Sequence, residues 1–201
     1  MTADPIDAHR QAVRDRVAAG HLLPDEGFVA PSPCGRYEIR VEAYGDAPDG
    51  PDIPYRLVHV GNRETGQPLA ILHRGDEAVW SAWVGRPEGL YLVCPEALEG
   101  GQTVVHLPTG AVASVIVADD PFLWAEFHPS PDGDRLAVIG CYWACPYEVV
   151  VHDFHAPLDL PLPVLSRRDL PRNDWRFGRR LGPSAFTLLS PEGDEERTMS
   201  V

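Results

Sequence analysis

The stretch Ser130-Pro131-Asp132-Gly133-Asp134-Arg135-Leu136-Ala137-Val138 decides the fold class. Proline presets the backbone at a turn, and glycine takes the positive φ that closes it without a Cβ penalty. The apolar run Leu136-Ala137-Val138-Ile139 has strand length and stops at Gly140. The segment therefore reads as a tight reversal feeding a β-strand.

Two other segments repeat the pattern: Ser32-Pro33-Cys34-Gly35-Arg36-Tyr37, and the more degenerate Arg86-Pro87-Glu88-Gly89-Leu90-Tyr91. A second turn marker trails each unit, at Glu64-Thr65-Gly66, at Pro108-Thr109-Gly110 and at Phe154-His155-Ala156-Pro157. Strand-length runs lie between the markers. Arg36 to Val41 alternates polar and apolar, Tyr55 to Val60 does so less strictly, and Gly89 to Val93, Thr103 to Leu107, Arg135 to Ile139 and Glu148 to His152 are largely apolar. A unit of about 40–50 residues with several strands is the period of propeller blades. Stacked blades bury one another's faces, which a lone four-stranded sheet cannot do.

The run Ser130–Val138, supported by Ser32–Tyr37, resembles the strand–turn signature of WD40-like β-propeller repeats, and in particular the bacterial PD40 type. The likeness covers about residues 27–160. It departs from the family in lacking a Trp-Asp dipeptide and in a weak fourth unit, where Gly182 to Leu189 supplies a strand or two. The resemblance implies an all-β fold, with three to four antiparallel blades in a propeller-like array. That array is either a minimal ring, an incomplete one, or one completed by another chain. It also implies a platform for partners and names no substrate.

Composition agrees with many short strands. Of 201 residues, 18 are glycine and 21 proline, and 44% are hydrophobic. The net charge of −13 sets the surface against general nucleic-acid binding and anionic membranes. All 17 basic residues are arginine, as a GC-rich coding sequence would give. No run of about 18 apolar residues offers a membrane span, and the first 20 residues carry no apolar signal core. A cytoplasmic protein with free thiols at Cys34, Cys94, Cys141 and Cys145 is expected.

The N-terminal segment reads as a helix. Asp4 is placed to cap it, Pro5 suits its first position, Asp7 sits in the first turn and Gly20 stops it. Ile6, Val13 and Val17 fall on one face. The division expected is a helix over 1–22 packed on a β domain over 23–201.

Three places could hold chemistry. Cys141 and Cys145, followed by His152 and His155, offer thiol and imidazole ligands of the kind zinc takes, although His152 and His155 would point to opposite faces of a continuing strand. The same loop carries Trp143 and Tyr147, which suit either packing around small buried cysteines or an aromatic binding surface. Arg167, Arg168, Arg172, Arg176, Arg179 and Arg180 form a cationic cluster with Trp175 and Phe177 interleaved. It reads as a solvated connecting segment paired with the acidic stretch Glu192 to Glu196, or as a site for a small anionic ligand or acidic partner. Asp119, Asp120, Glu126 and Asp132 lie at turns, where a carboxylate usually accepts backbone hydrogen bonds. Trp80, Trp83 and Trp124 are expected in the core.

No nucleotide-phosphate loop, nucleophile elbow, dinucleotide fingerprint or zincin motif occurs, so no cofactor is expected. Three readings compete. The first is a non-enzymatic binding or scaffold platform, with a protein or small anionic ligand as partner and a homo-oligomer completing the array. The others are a carboxylate-based hydrolase in a groove between blades, and a zinc protein using Cys141 and Cys145.

Overall fold

The computed structural model describes residues 4–45, 54–75, 81–97, 100–117, 121–143, 146–171, 175–182 and 185–200. Those residues form one helix, α1 (Pro5–Ala19), and four antiparallel sheets. The first sheet holds β1 (His21–Leu22), β2 (Phe28–Pro31), β3 (Tyr37–Gly45), β4 (Tyr55–Asn62) and β5 (Pro68–Arg74). The second holds β6 (Ala82–Arg86), β7 (Gly89–Cys94), β8 (Gln102–His106) and β9 (Ala111–Val115). The third holds β10 (Leu123–Pro129), β11 (Arg135–Cys141), β12 (Glu148–Asp153) and β13 (Val164–Asp169). The fourth holds β14 (Arg176–Gly182), β15 (Ala185–Leu189) and β16 (Glu196–Ser200).

In sheets two to four the strands pair in chain order. In the first, β1 and β2 lie end to end along one edge of β3 and together count as its first strand, followed by β3, β4 and β5 as second, third and fourth. The sheets stack face to face. Ile39, Val41, Val58 and Val60 of the first sheet meet Leu92, Cys94, Val105 and Leu107 of the second. From the opposite face of the second sheet, Val84, Tyr91, Val93 and Val104 meet Trp124, Leu136, Val138 and Val150 of the third. The third then turns Ala137, Ile139, Val149 and Val151 towards Phe186 and Leu188, beside Trp175. Neighbouring residues of β7, β11 and β12 thus face different blades. A strand buried on both sides must be apolar throughout, which is why Leu136 to Ile139 and Val149 to Val151 are unbroken runs. β3 is covered on one face only, so Tyr37, Ile39, Val41 and Ala43 are buried while Glu38, Arg40, Glu42 and Tyr44 are not.

The turns named from sequence occupy equivalent places. Gly35 and Gly133 close the first-to-second strand hairpins of sheets one and three at φ 71° and 73°. In each the glycine N–H donates to the serine carbonyl at 2.9 Å, and the serine N–H reaches across the hairpin at 2.8 Å. Gly89 ends the corresponding hairpin of sheet two in a different conformation, φ 149°, with Arg86 directly opposite. Gly66 and Gly110 close the third-to-fourth strand hairpins of sheets one and two at φ 69° and 72°. Ser190-Pro191-Glu192-Gly193 repeats the serine–glycine turn, with Gly193 at φ 74°, but joins the second and third strands of sheet four.

The helix begins as its sequence requires. The Asp4 carboxylate accepts the Ile6 N–H at 3.0 Å, and the chain leaves at Gly20, whose N–H donates to Arg16 O at 2.8 Å. Gly20 is extended, φ −88°, so it is not a left-handed cap. Its role is close approach: a Cβ there would stand 2.3 Å from Gly45 O of β3. On the expected apolar face Val13 is buried, while Ile6 and Val17 are half-buried.

Replacing Gly35 with Ala should cost about 1–2 kcal/mol for left-handed backbone alone, since nothing lies within 4 Å of its missing Cβ. Gly133→Ala should cost clearly more, because its Cβ would also meet Gly85 O at 2.0 Å. Urea unfolding of the two variants gives the order; equal losses would contradict the packing of the second and third hairpins.

Candidate functional site

Antiparallel pairing in chain order sorts the connections. Tight turns between first and second, and third and fourth, strands lie at one end of the stack. Second-to-third connections and sheet-to-sheet crossings lie at the other. Trp143 and Tyr147 flank the second-to-third connection of sheet three, and Arg168, Trp175 and Arg176 border the crossing from sheet three to sheet four. The Leu170 N–H donates to Tyr147 O at 2.8 Å and ties these two connections together. Cys145 and Arg172 lie outside the described residues, as do Trp80, Asp119 and Asp120.

The side chains differ in what they can offer. Trp143 is 61% exposed, whereas Trp124 and Trp175 are 3% and 5% exposed. Trp175 floors the core between sheets three and four, and the Arg197 guanidinium lies 5.1 Å above its ring. Tyr147 packs against the same core; burial, with Cys141 beside it, raises the pKa of its phenol. Tyr142 stacks edge-on with Phe122 at 5.3 Å, and Arg167 lies over both rings while donating to the Tyr142 hydroxyl. Arg168 and Arg176 are exposed. A cavity of about 410 Å³ opens beside Trp175, lined by Pro171, Ser190, Glu192, Asp194, Glu195 and Arg197.

The arginine cluster is not a connecting segment. Arg167 and Arg168 belong to β13, and Arg176, Arg179 and Arg180 to β14. Pairing with the acidic stretch does occur, between Arg179 and Glu196 at 3.4 Å. Arg180 turns inward instead. It donates to His128 O across the sheet joint and lies 5.7 and 5.9 Å from the Phe177 and Phe186 rings. His128 stacks on Phe177 at 3.8 Å and 7°.

Among the described residues the fold does not gather the proposed metal ligands Cys141, His152 and His155. Cys141 ends β11, whereas His152 pairs with Leu136 near the start of that strand. At about 3.4 Å per residue, this puts them roughly 17 Å apart along the sheet, too far to share one ion. His152 is buried with its Nδ1 3.3 Å from Leu162 O. His155 lies at the turn end, with Nδ1 2.6 Å from Asp153 and Nε2 3.4 Å from Asp134. Among the described residues no group of three His, Cys, Asp or Glu side chains could hold a metal. Asp132 accepts from Ser130 Oγ and from the Asp134 N–H, a turn-building role, while Glu126 lies within β10 and not at a turn, and contacts His128.

Sequence reading missed the Arg180–His128–Phe177 seam and the pairing of half-buried Arg10 with buried Glu96 at 2.6 Å. Neither has a local signature, since each joins residues distant in the chain.

No family model matches the chain, and no curated protein matches it. Solved structures do. The periplasmic gluconolactonase PpgL of Pseudomonas aeruginosa matches at 16% identity and TM-score 0.51, over 96% of this chain and 53% of its own. A Bacteroides uniformis structure assigned as a 6-phosphogluconolactonase matches at 14% and 0.51, over 99% and 54%. The Swd1 β-propeller domain of Myceliophthora thermophila matches at 13% and 0.47, over 100% and 57%. Four antiparallel sheets packed face to face in chain order make a β-propeller-like array, a likeness of fold that extends to the two lactonase-named structures. The chain spans about half the length of the structures it matches. No helix among the described residues is long and apolar enough to cross a membrane.

Acid should loosen the joint between sheets three and four. Burial, aided by the nearby Arg180 charge, holds the His128 pKa below its ordinary value of 6.5 against the pull of Glu126; burial and the Arg14 and Arg10 charges lower that of His73. The folded chain therefore binds fewer protons than the unfolded chain just below pH 6.5, and stability falls as pH drops through that window. His128→Phe, which keeps the stack on Phe177, should flatten part of the fall in denaturation midpoint between pH 7 and 5. An unchanged slope would assign the effect elsewhere.

Proposed function

We propose that the chain is a binding platform whose partner docks where Trp143 stands at the end of the third sheet, with the guanidinium groups of Arg168 and Arg176 meeting an anionic group of that partner. Arg172 and Tyr147 extend the same surface in sequence, and Trp175 supports it from beneath. Trp143 carries the reading: an indole left in water costs solvation, while indoles are the side chains most enriched at binding hot spots. Arginine supplies the planar fork that matches carboxylate or phosphate. The working compartment is taken to be the cytoplasm.

A carboxylate hydrolase is a second reading, favoured by Glu192, Asp194 and Glu195 around the cavity beside Trp175. Two matched structures bear lactonase names. Hydrolysis of a sugar δ-lactone that is lost in Asp194→Asn would replace the platform reading.

Affinity capture from a lysate with the native chain, Trp143→Ala and Arg168→Glu tests the proposal. A specific partner should be held by the native chain and bound about 30-fold more weakly by Trp143→Ala, the effect of losing a hot spot worth about 2 kcal/mol. Equal retention by all three proteins would overturn the assignment.

A further inference from the structure

At the crossing end of the first two sheets, α1 is held chiefly by polar contacts. Val13 is its only fully buried residue, and the Arg16 guanidinium lies over the Tyr55 ring at 4.2 Å. The centre of the contact is Arg10. Its Nε donates to Glu96 Oε1 at 2.6 Å and its Nη2 to Ser114 Oγ at 2.7 Å. Glu96 is 4% exposed. Its other oxygen accepts the Thr103 hydroxyl, which also lies 2.8 Å from Ser114 Oγ.

Adjacent strands build this recess. Glu96 follows β7, Thr103 lies in β8 opposite Cys94, and Ser114 lies in β9 opposite Thr103. The sheet itself therefore fixes a carboxylate and a hydroxyl beside each other. That pair accepts the two N–H groups of one planar guanidinium edge, which an ammonium on a flexible stem matches poorly. A carboxylate so buried is costly unless a cation meets it, so the recess keeps its demand for a guanidinium whoever supplies it. The helix supplying it here is 15 residues long, a length marginally stable alone in water. Its hold depends on tethering, which presents Arg10 at an effective concentration of the order of millimolar.

We propose that the Glu96–Thr103–Ser114 recess is a receptor for a guanidinium carried on a helix, filled in the resting protein by Arg10, and that an arginine-bearing helical segment of a partner protein exchanges with α1 there. The recess lies on the second sheet and does not depend on the surface around Trp143.

The test uses the full chain and a labelled synthetic peptide of residues 4–20, followed by fluorescence anisotropy. The Arg10→Ala chain should bind this peptide at least tenfold more tightly than the native chain, whose own arginine competes. Peptides carrying Arg10→Lys or Arg10→Ala should bind at least tenfold more weakly, and adding Glu96→Gln to the Arg10→Ala chain should abolish the preference. Equal binding of all three peptides, or of the peptide to both chains, would overturn the proposal. If Arg10→Ala does not fold, amide exchange in the native chain decides. Millimolar ethylguanidinium should accelerate exchange across α1 and leave the sheets unchanged, while ethylammonium at the same concentration should not; equal effects of the two cations would refute the assignment.

Discussion

Two-sided burial of the middle sheets is the constraint on which the rest depends. Leu136 and Val138 face the second sheet while Ala137 and Ile139 face the fourth, so the middle of β11 turns no side chain to water. Every polar function is thereby pushed to the strand ends, the sheet edges and the outer faces of the stack. The tight serine–glycine hairpins of sheets one and three sit at one end, and the crossings that carry Trp143, Arg168 and Arg176 sit at the other. Apolar area buried between sheets is the main stabilising term, and it is non-directional. It brings the sheets together without fixing how they register.

Arginine supplies direction at each joint. Arg74 of the first sheet donates to Pro95 O at the second. Arg86 of the second donates to Gly133 O and Asp134 of the third at 3.1 and 2.6 Å. Arg180 of the fourth donates to His128 O of the third. A guanidinium keeps its charge and offers several donors in one plane, so it can span a joint and satisfy a backbone carbonyl that would otherwise be buried without a partner. The lysine-free composition thus has a structural use, whatever its codon origin.

Much of the fold was legible because turn chemistry is local. Gly35, Gly89 and Gly133 all close first-to-second strand hairpins, as their spacing implied, and Gly66 and Gly110 close the later ones. The difference between the alternating β3 and the unbroken β11 even marks which sheet ends the stack. The fourth sheet was harder to read. Its serine–proline–glycine turn at 190–193 is as plain in sequence as that at 130–133, yet it joins a different pair of strands, so it falls out of phase with the others. Arg176, Arg179 and Arg180 read as a solvated connection because charge masks strand periodicity, and burial of Phe177 between them shows only once sheet three is in place. Cys141 and His152 looked close because separation along a chain is blind to a hairpin that carries one strand back the length of the other. The pairing of Arg10 with Glu96 is a contact between residues far apart in sequence and carries no motif at all.

The stacking itself is tested most directly by placing asparagine at neighbouring positions of one strand and reading stability by urea unfolding. In β11, Val138→Asn and Ile139→Asn should each destabilise the chain severely, by about 3 kcal/mol or more, because each buries a polar group without a partner on a different face. In β3, Ile39→Asn should do the same, while Arg40→Asn should stay within about 0.5 kcal/mol of the native chain. A tolerated asparagine at either Val138 or Ile139 would mean that β11 has a free face, and the stacked array would be contradicted.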